Sequence, residues 1–205
     1  TSNLKSLGLF YSNNEFGISV SRKIYEKATG SGVEIPFNTS YDDKELDYKS
    51  IITAANLKSV PAIYVIGVGK SLGTFIKQLR EAGYMGKIIA DPLFNNPDTF
   101  SAAGDSGKGV AYLDFDFDRN SNGTHVRAFV DAYRKEFDNA EPQNLSAITY
   151  DALKMIFRNV EQAQTLDPDK LMPKIKASTI TDGAVGNSKV ENGNIFYPMT
   201  FKVKG

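Results

Sequence analysis

Residues 62–73, AIYVIGVGKSLG, join a short apolar segment to closely spaced glycines and then to a helical pattern. Residues 62–66 are rich in β-branched and aromatic side chains and too few for a helix, so they predict a buried strand. The apolar residues that follow repeat at the spacing of one helix face: Leu72, Phe75, Ile76 and Leu79. A strand, a glycine turn and a helix in succession are typical of open α/β sheets, which bind ligands at the carboxyl ends of their strands.

The preceding and following segments repeat this alternation of strand and helix. We predict further strands at residues 4–10, 33–37, 87–90 and 110–115, with helical patterns between the first four strands. The first helix is predicted to end at Gly30 and Gly32. Five strands separated by crossover connections predict an α/β fold, an open parallel sheet flanked by helices of the flavodoxin or Rossmann kind.

The pattern changes beyond residue 118. Two amphipathic helices are predicted, one through Val126 and Phe137 and a longer one through Ile148 and Ile156, with no strand between them. A short helix is expected near residues 170–176. The end of the chain alternates in the manner of a strand, at Ile195, Tyr197, Met199, Phe201 and Val203. These helices need a sheet that the chain does not obviously provide.

Composition narrows the classes of function. The chain has 205 residues, 24 basic and 24 acidic, so its formal net charge is zero, which argues against nucleic acid or an anionic membrane as the main partner. We find no apolar run of membrane-spanning length and no signal-peptide pattern at the start, and expect that a targeting segment was removed or never existed. Cysteine is absent, which excludes disulfides and thiolate metal sites and suits an exported protein.

Two nucleotide-binding interpretations of the glycine turn are weak. The turn and Asp91 at the end of the next predicted strand loosely match a dinucleotide fingerprint, but the glycine spacing is wrong. A P-loop would require glycine at position 64, which is Tyr64. We therefore favour a tight turn over a phosphate site.

Catalytic and metal-binding patterns are also weak. Residues 114–123, DFDFDRNSNG, place aspartates at alternate positions as a calcium loop does, but Arg119 and His125 replace its glycine and glutamate. Alternation here favours a half-exposed strand that leads into a helix capped by Ser121 or Asn122. His125 is the only histidine, so no serine triad and no multi-histidine metal site is available. We predict neither an enzyme nor a cofactor.

Several ordered motifs carry a family resemblance. They include YSNNEFG, SYDDKELDYKSIITAA, PAIYVIGVGKSLGTFIKQLREAGY, AAGDSGKGV, FVDAYRKEF, EPQNLSAITYDAL and a terminal strand after ENGN. In this order the chain resembles the type I periplasmic-type solute-binding proteins of ABC transporters, and in particular the branched-chain amino acid (Leu/Ile/Val) receptors. The resemblance is collinear over nearly all 205 residues.

The resemblance implies two lobes with a ligand in the cleft between them. Residues 1–117 would form the second lobe, residues 118–180 would be helices that pack on the first lobe, and residues 181–205 would return to the second lobe. The sheet of the first lobe has no counterpart in the chain, so we expect a fragment of a longer protein. The surface left by the absent lobe would then favour a dimer of the fragment.

The resemblance also implies ligand contacts. Phe16 corresponds to an aromatic cleft residue, although it could equally be a core residue at a helix start. The turn after the third strand would contact the ligand through Gly67, Val68 and Gly69. Amino acid receptors of this family have an aromatic side chain in that turn, so Val68 casts doubt on a branched-chain amino acid as the ligand.

Three further positions complete the implied site. The family has an acid after the fourth strand for the ligand ammonium, and direct counting places Pro92 there, with Asp91 one residue earlier. If the ligand has an amine, Asp91 is the better candidate, because a buried carboxylate needs a charged partner. Leu145 also corresponds to a cleft position.

The expected function is that of an extracytoplasmic solute-binding component, which would hold an amino acid or similar solute and present it to an ABC transporter permease. The expected location is periplasmic or extracellular, with a lipoprotein anchor as an option in the full-length protein. Two alternatives stay open: the ligand-sensing lobe of a receptor or regulator, and a nucleotide-dependent α/β enzyme.

Overall fold

A computed structural model describes residues 4–191 and 193–205. The chain divides into two compact units, which are described separately. Unit 1 takes in the described part of Thr1–Asp114 together with Phe201–Gly205, and unit 2 is Phe115–Thr200. The predicted assignment of residues 118–180 to another lobe is not tested by this division and stays a prediction.

Unit 1 is built on a six-stranded, mostly parallel sheet. In spatial order the strands are β2 (Asn38–Tyr41), β1 (Gly8–Ser12), β3 (Ala62–Ile66), β4 (Lys87–Ala90), β5 (Ala111–Phe115) and β9 (Met199–Val203). Neighbouring strands among the first five pair in parallel. The helices are α1 (Glu15–Thr29), α2 (Lys49–Ala54), α3 (Gly69–Glu81) and α4 (Pro97–Ala103). The predicted α/β fold class is confirmed.

The first two strands begin later than predicted. Residues 4–10 and 33–37 were the predicted segments, whereas β1 and β2 start at Gly8 and Asn38. Val33 and Ile35 are partly buried against a small apolar cluster that includes Leu9, so their apolarity reports side-chain packing on the approach to the strand. The ladder itself is formed by the polar segment NTSY, because backbone hydrogen bonds do not depend on side-chain polarity.

The helix after the glycine turn carries the core of unit 1. All four residues of its predicted apolar face are fully buried. Phe75 lies within an aromatic cluster, with ring centroids 4.9 Å from Phe10, 4.5 Å from Tyr41 and 5.1 Å from Tyr48. Aromatic pairs at such separations stabilise a core beyond the area that they bury. The turn between β3 and α3 is therefore anchored by a well-packed helix.

Unit 2 contains α5 (Thr124–Glu136), α6 (Asn144–Ala163) and α7 (Pro168–Lys176). Its small sheet is antiparallel, in the order β6 (Thr179–Ile180), β7 (Ser188–Glu191) and β8 (Asn194–Phe196). The sequence patterns predicted the three helices but neither β6 nor β7, because these strands are short and mostly polar.

The predicted terminal strand is interrupted after β8. Tyr197 and Pro198 separate β8 from β9, and the Tyr197 hydroxyl donates to the carbonyl of Ile148 at 2.8 Å. Tyr197 is half-buried and packs against the apolar cluster of unit 2. In the described part of the chain, no helix combines the length and apolarity that a membrane span requires.

The aspartate-rich segment also differs from its predicted pattern. Asp114 is buried within β5 and accepts from Lys202 Nζ at 2.6 Å and from Asn95 Nδ2 at 2.9 Å, whereas the alternation predicted an exposed aspartate. The helix that follows is preceded by Gly123, and neither Ser121 nor Asn122 is its N-cap. The ion pair with Lys202 offsets the free-energy cost of removing the Asp114 carboxylate from water.

Close packing of α3 on α4 explains Gly73. A Cβ atom at Gly73 would lie 2.3 Å from the carbonyl oxygen of Thr99 and 2.8 Å from the Ala102 Cβ. We expect Gly73→Ala to lower the free energy of unfolding by about 1–3 kcal/mol, because overpacking outweighs the gain in helix propensity. Urea unfolding measures the change, and Lys77→Ala on the exposed face of α3 is the control. An unchanged or higher stability of Gly73→Ala would contradict this packing argument.

Candidate functional site

The carboxyl edge of the sheet in unit 1 is where a ligand site is expected. β1 lies between β2 and β3, so the chain leaves β1 toward one side of the sheet and leaves β3 toward the other. At such a switch point the two loops diverge and leave a crevice. Tyr11 is the partner of Ile66 in the parallel register, so the loops after Ser12 and Ile66 begin side by side.

The first loop leads into α1, which brings Phe16 to this edge. Asn14 caps α1, since its side-chain oxygen accepts the Gly17 amide at 2.9 Å. Phe16 belongs to the first turn of α1. Its side chain is 40% exposed, so it is not sequestered in the core. The predicted ligand contact of Phe16 stays a prediction.

The second loop is the glycine turn between β3 and α3. A Cβ atom at Gly67 would lie 2.0 Å from the Tyr41 hydroxyl, so only glycine fits there. Gly69 has φ of +60°, a conformation that L side chains rarely adopt. Between them, Val68 has extended backbone and a side chain that is 45% exposed. The turn therefore presents one apolar side chain on a backbone that requires both glycines.

Asp91, at the end of β4, is fully buried and binds backbone amides. Its two carboxylate oxygens accept the N–H groups of Gly67 and Leu93, each at 2.7 Å. Desolvation raises the pKa of the Asp91 carboxyl to about 7, and the two backbone hydrogen bonds partly oppose this rise. Pro92 is half-buried and begins a 3-10 turn, Pro92–Phe94.

These contacts bear on two predicted roles. The Gly67 amide is occupied by Asp91, so the turn does not offer that group to a phosphate, which counts against a nucleotide site. Contact of Asp91 or Pro92 with a ligand amine stays a prediction. In the structure, Asp91 accepts hydrogen bonds from the backbone amides of Gly67 and Leu93.

A polar cluster at the same edge was not predicted from the sequence. Asn14 Nδ2 donates to Asp43 Oδ2 at 2.5 Å and to Ser12 Oγ at 3.1 Å, and Ser71 Oγ, which donates to the Val68 carbonyl at 2.9 Å, also lies 3.3 Å from Asp43 Oδ1. These residues come from the end of β1 and the loop after it, from the loop after β2 and from the first turn of α3. No local pattern in the sequence marks Asp43 for this role, because only the parallel topology brings these segments together.

Asp43 supplies the carboxylate of this cluster. It is half-buried, and within residues 4–191 and 193–205 no lysine or arginine forms an ion pair with it. A partly desolvated carboxylate without a cation favours a positively charged or hydrogen-bond-donating group beside it. The same described ranges contain no cluster of three acidic or histidine side chains that could hold a metal ion.

The remaining predicted residue, Leu145, belongs to unit 2. It lies in the first turn of α6, and its side chain is 47% exposed. Its predicted place in a cleft stays a prediction.

Comparison with known proteins identifies relatives over almost the whole chain. The sequence model of one family, described as "Periplasmic binding protein", matches residues 2–201. A leucine-, isoleucine-, valine-, threonine- and alanine-binding protein of Pseudomonas aeruginosa is 20% identical over 177 residues, which cover 85% of this chain and 46% of that protein.

Solved structures share the fold. The crystal structure of a leucine-binding protein from Thermotoga maritima matches with a TM-score of 0.83 at 20% identity, covering 98% of this chain and 57% of that one. A solute-binding protein of an ABC transporter from R. palustris, in complex with benzoate, matches with a TM-score of 0.78 at 16% identity, covering 100% and 57%. The chain thus spans about half the length of the relatives that it matches.

The pKa of Asp91 predicts a pH dependence of stability. Because the folded-state pKa is raised from 3.8 to about 7, the contribution of this carboxyl is fully present below about pH 4 and is lost as the pH rises through 7. We expect the unfolding free energy of the wild type, minus that of Asp91→Asn, to fall by roughly 2–4 kcal/mol between about pH 4 and pH 8.

Urea unfolding across this pH range measures the difference, and the neutral amide supplies the reference that does not titrate. Asp98→Asn, in an exposed first turn of α4, is the matched control for a change of charge alone. A difference that stays constant or increases with pH would show that the buried carboxyl does not titrate as described.

Proposed function

The chain belongs to the periplasmic binding protein family, and on that premise we propose that unit 1 forms one wall of a binding site for a small solute. The proposal rests on one observation: Phe16 and Val68, two exposed apolar side chains, flank the switch point of the sheet. Small-molecule sites combine apolar walls with a few placed polar groups, and Asp43 supplies such a group beside them.

The proposed solute has an apolar part and a hydrogen-bond-donating or cationic group. The apolar part would pack on Phe16 and Val68, and the donor would approach Asp43. An amino acid or a related compound meets both requirements. Relatives are named for leucine and for other amino acids, and one is described with benzoate, so the panel of probes should contain both classes.

Binding without chemistry is the proposed mechanism. A solute that contacts two lobes favours their closed arrangement by its differential affinity, and a membrane permease would recognise that arrangement. The partner lobe, the ABC transporter permease and a periplasmic or extracellular location belong to this proposal. Aspartates and glycines at the site have structural or binding roles in it, and no catalytic group is required.

Unit 2 supports a second part of the proposal. Helix α6 exposes Leu153, Ile156 and Phe157, which share one face at helical spacing. Such a face is stable only when another surface covers it. We propose that the sheet of a further lobe covers it in a protein of the relatives' length, and that a second copy covers it in the 205-residue chain.

Solute binding by the chain can be tested by NMR. We expect leucine or isoleucine at millimolar concentration to shift the amide signals of Gly67–Gly69 and the start of α1, and benzoate, which has no group that can donate to Asp43, to shift them less. Phe16→Ala and Val68→Ser should each weaken binding about tenfold, or abolish its detection, because burial of one such side chain is worth about 1.5–3 kcal/mol. Met85→Ala is the control, since Met85 is also an exposed apolar side chain, at 86%, but lies before β4, at the amino edge of the sheet.

No shift with any probe, or shifts confined to other parts of the chain, would overturn the proposed solute site. Equal effects of the Met85 and Val68 substitutions would do the same.

Self-association provides a separate prediction. We expect the 205-residue chain to form dimers in sedimentation equilibrium and Phe157→Glu to weaken the dimer at least tenfold, since a buried charge opposes an apolar contact. Leu166→Glu is the control, because Leu166 is also exposed in unit 2 but lies beyond α6. A monomeric wild type would refute this part of the proposal and leave solute binding unaffected.

A further inference from the structure

The glycine turn after β3 is held by three side chains from three different elements. The Tyr41 hydroxyl, at the end of β2, donates to the carbonyl of Ile66 at 3.0 Å. The Asp91 carboxylate, after β4, accepts the Gly67 amide at 2.7 Å. The Thr99 hydroxyl, in α4, donates to the carbonyl of Gly69 at 2.9 Å. Each bond ends on the backbone of the turn.

All three side chains are buried. Asp91 and Thr99 have no exposed area and Tyr41 only 1%. A hydrogen bond in such surroundings is costly to break, because the freed polar group would be left without water. The turn is consequently restrained at the peptide group between Ile66 and Gly67 and at the carbonyl of Gly69, while the side chain of Val68 remains half-exposed.

We infer that Tyr41, Asp91 and Thr99 are positioning residues, which preset the backbone of the turn so that the Val68 side chain meets the solute without rearrangement. This inference rests on the proposed solute site. A preorganised turn binds more tightly because its ordering cost is met during folding. Asp91 thereby acts through the turn, where the family resemblance implied a direct contact with a ligand amine.

The surroundings of Asp91 are consistent with this role. Burial raises the pKa of the Tyr41 and Tyr64 hydroxyls above the usual range, and the charge of the nearby Asp91 carboxylate raises both further. Both are neutral near pH 7, so the protonation of Asp91 itself determines the strength of its bond to Gly67. The amide proton of Gly67 should then report that protonation.

Tyr84 offers a matched control within the same sheet. It is buried, and its hydroxyl donates to the carbonyl of Val60 at 3.1 Å. Val60 precedes β3, whereas Ile66 ends it, so the same type of bond is made at the opposite end of one strand. Tyr84→Phe and Tyr41→Phe each remove one buried hydroxyl, but only Tyr41→Phe releases the turn.

The first test is amide hydrogen exchange of the 205-residue chain by NMR. We expect Tyr41→Phe and Thr99→Val to increase exchange at Gly67–Gly69 roughly three- to tenfold, as loss of one hydrogen bond predicts, with no such increase in Tyr84→Phe. The Gly67 amide proton shift of the wild type should titrate with a midpoint near pH 7, matching the Asp91 carboxyl. Equal exchange in all three variants, or a Gly67 shift that is independent of pH, would overturn the inference.

The second test is the affinity for leucine, isoleucine and benzoate. Tyr41→Phe and Thr99→Val should weaken the binding of whichever probe binds by about three- to tenfold, and Tyr84→Phe should not, although all three lose similar stability. If Val68→Ser abolishes binding while the Tyr41 and Thr99 variants match Tyr84→Phe, the solute site stands and the positioning role is refuted.

If no probe binds the wild type, the solute site fails instead, and the exchange data alone decide whether these side chains hold the turn. Should Thr99→Val not fold, Thr99→Ser retains the hydroxyl and should restore both readouts.

Discussion

A carboxylate can remain in an apolar interior only where hydrogen bonds replace the water that it loses. Asp91 meets this requirement through two backbone amides, one from the turn after β3 and one from the turn that follows its own strand. Because the carboxylate needs these amides, the two turns are tied to each other. This carboxylate therefore connects the carboxyl ends of β3 and β4.

Unit 2 also contains a buried aspartate that accepts two backbone amides. Asp151, within α6, is buried and accepts the amides of Ala184 and Val185 at 2.7 and 2.9 Å. Gly183 is required beside it, since a Cβ atom there would lie 2.5 Å from a carboxylate oxygen. Desolvation raises the pKa of the Asp151 carboxyl, against the opposing effect of both backbone bonds. In both units a buried aspartate binds two backbone amides of segments outside the α-helices and strands.

Much of the fold could be predicted because apolar periodicity records which faces are buried. β3 and β4 occur at the predicted residues, and the predicted face of α3 is the core of unit 1. Prediction was less accurate at β2 and β7, where polar residues form the ladder through backbone bonds that leave no pattern in the side chains. The cluster of Asn14, Asp43 and Ser71 could not be predicted either, because it forms only once β2, β1 and β3 lie side by side.

The two glycines and the exposed residue between them have separable tasks. Gly67 is required by the approach of Tyr41, and Gly69 by its positive φ, so both serve the backbone. Val68 lacks any such constraint, since its extended backbone suits every residue type and its side chain points away from the core. With the turn restrained by buried side chains, position 68 can change in size and polarity without disturbing the fold.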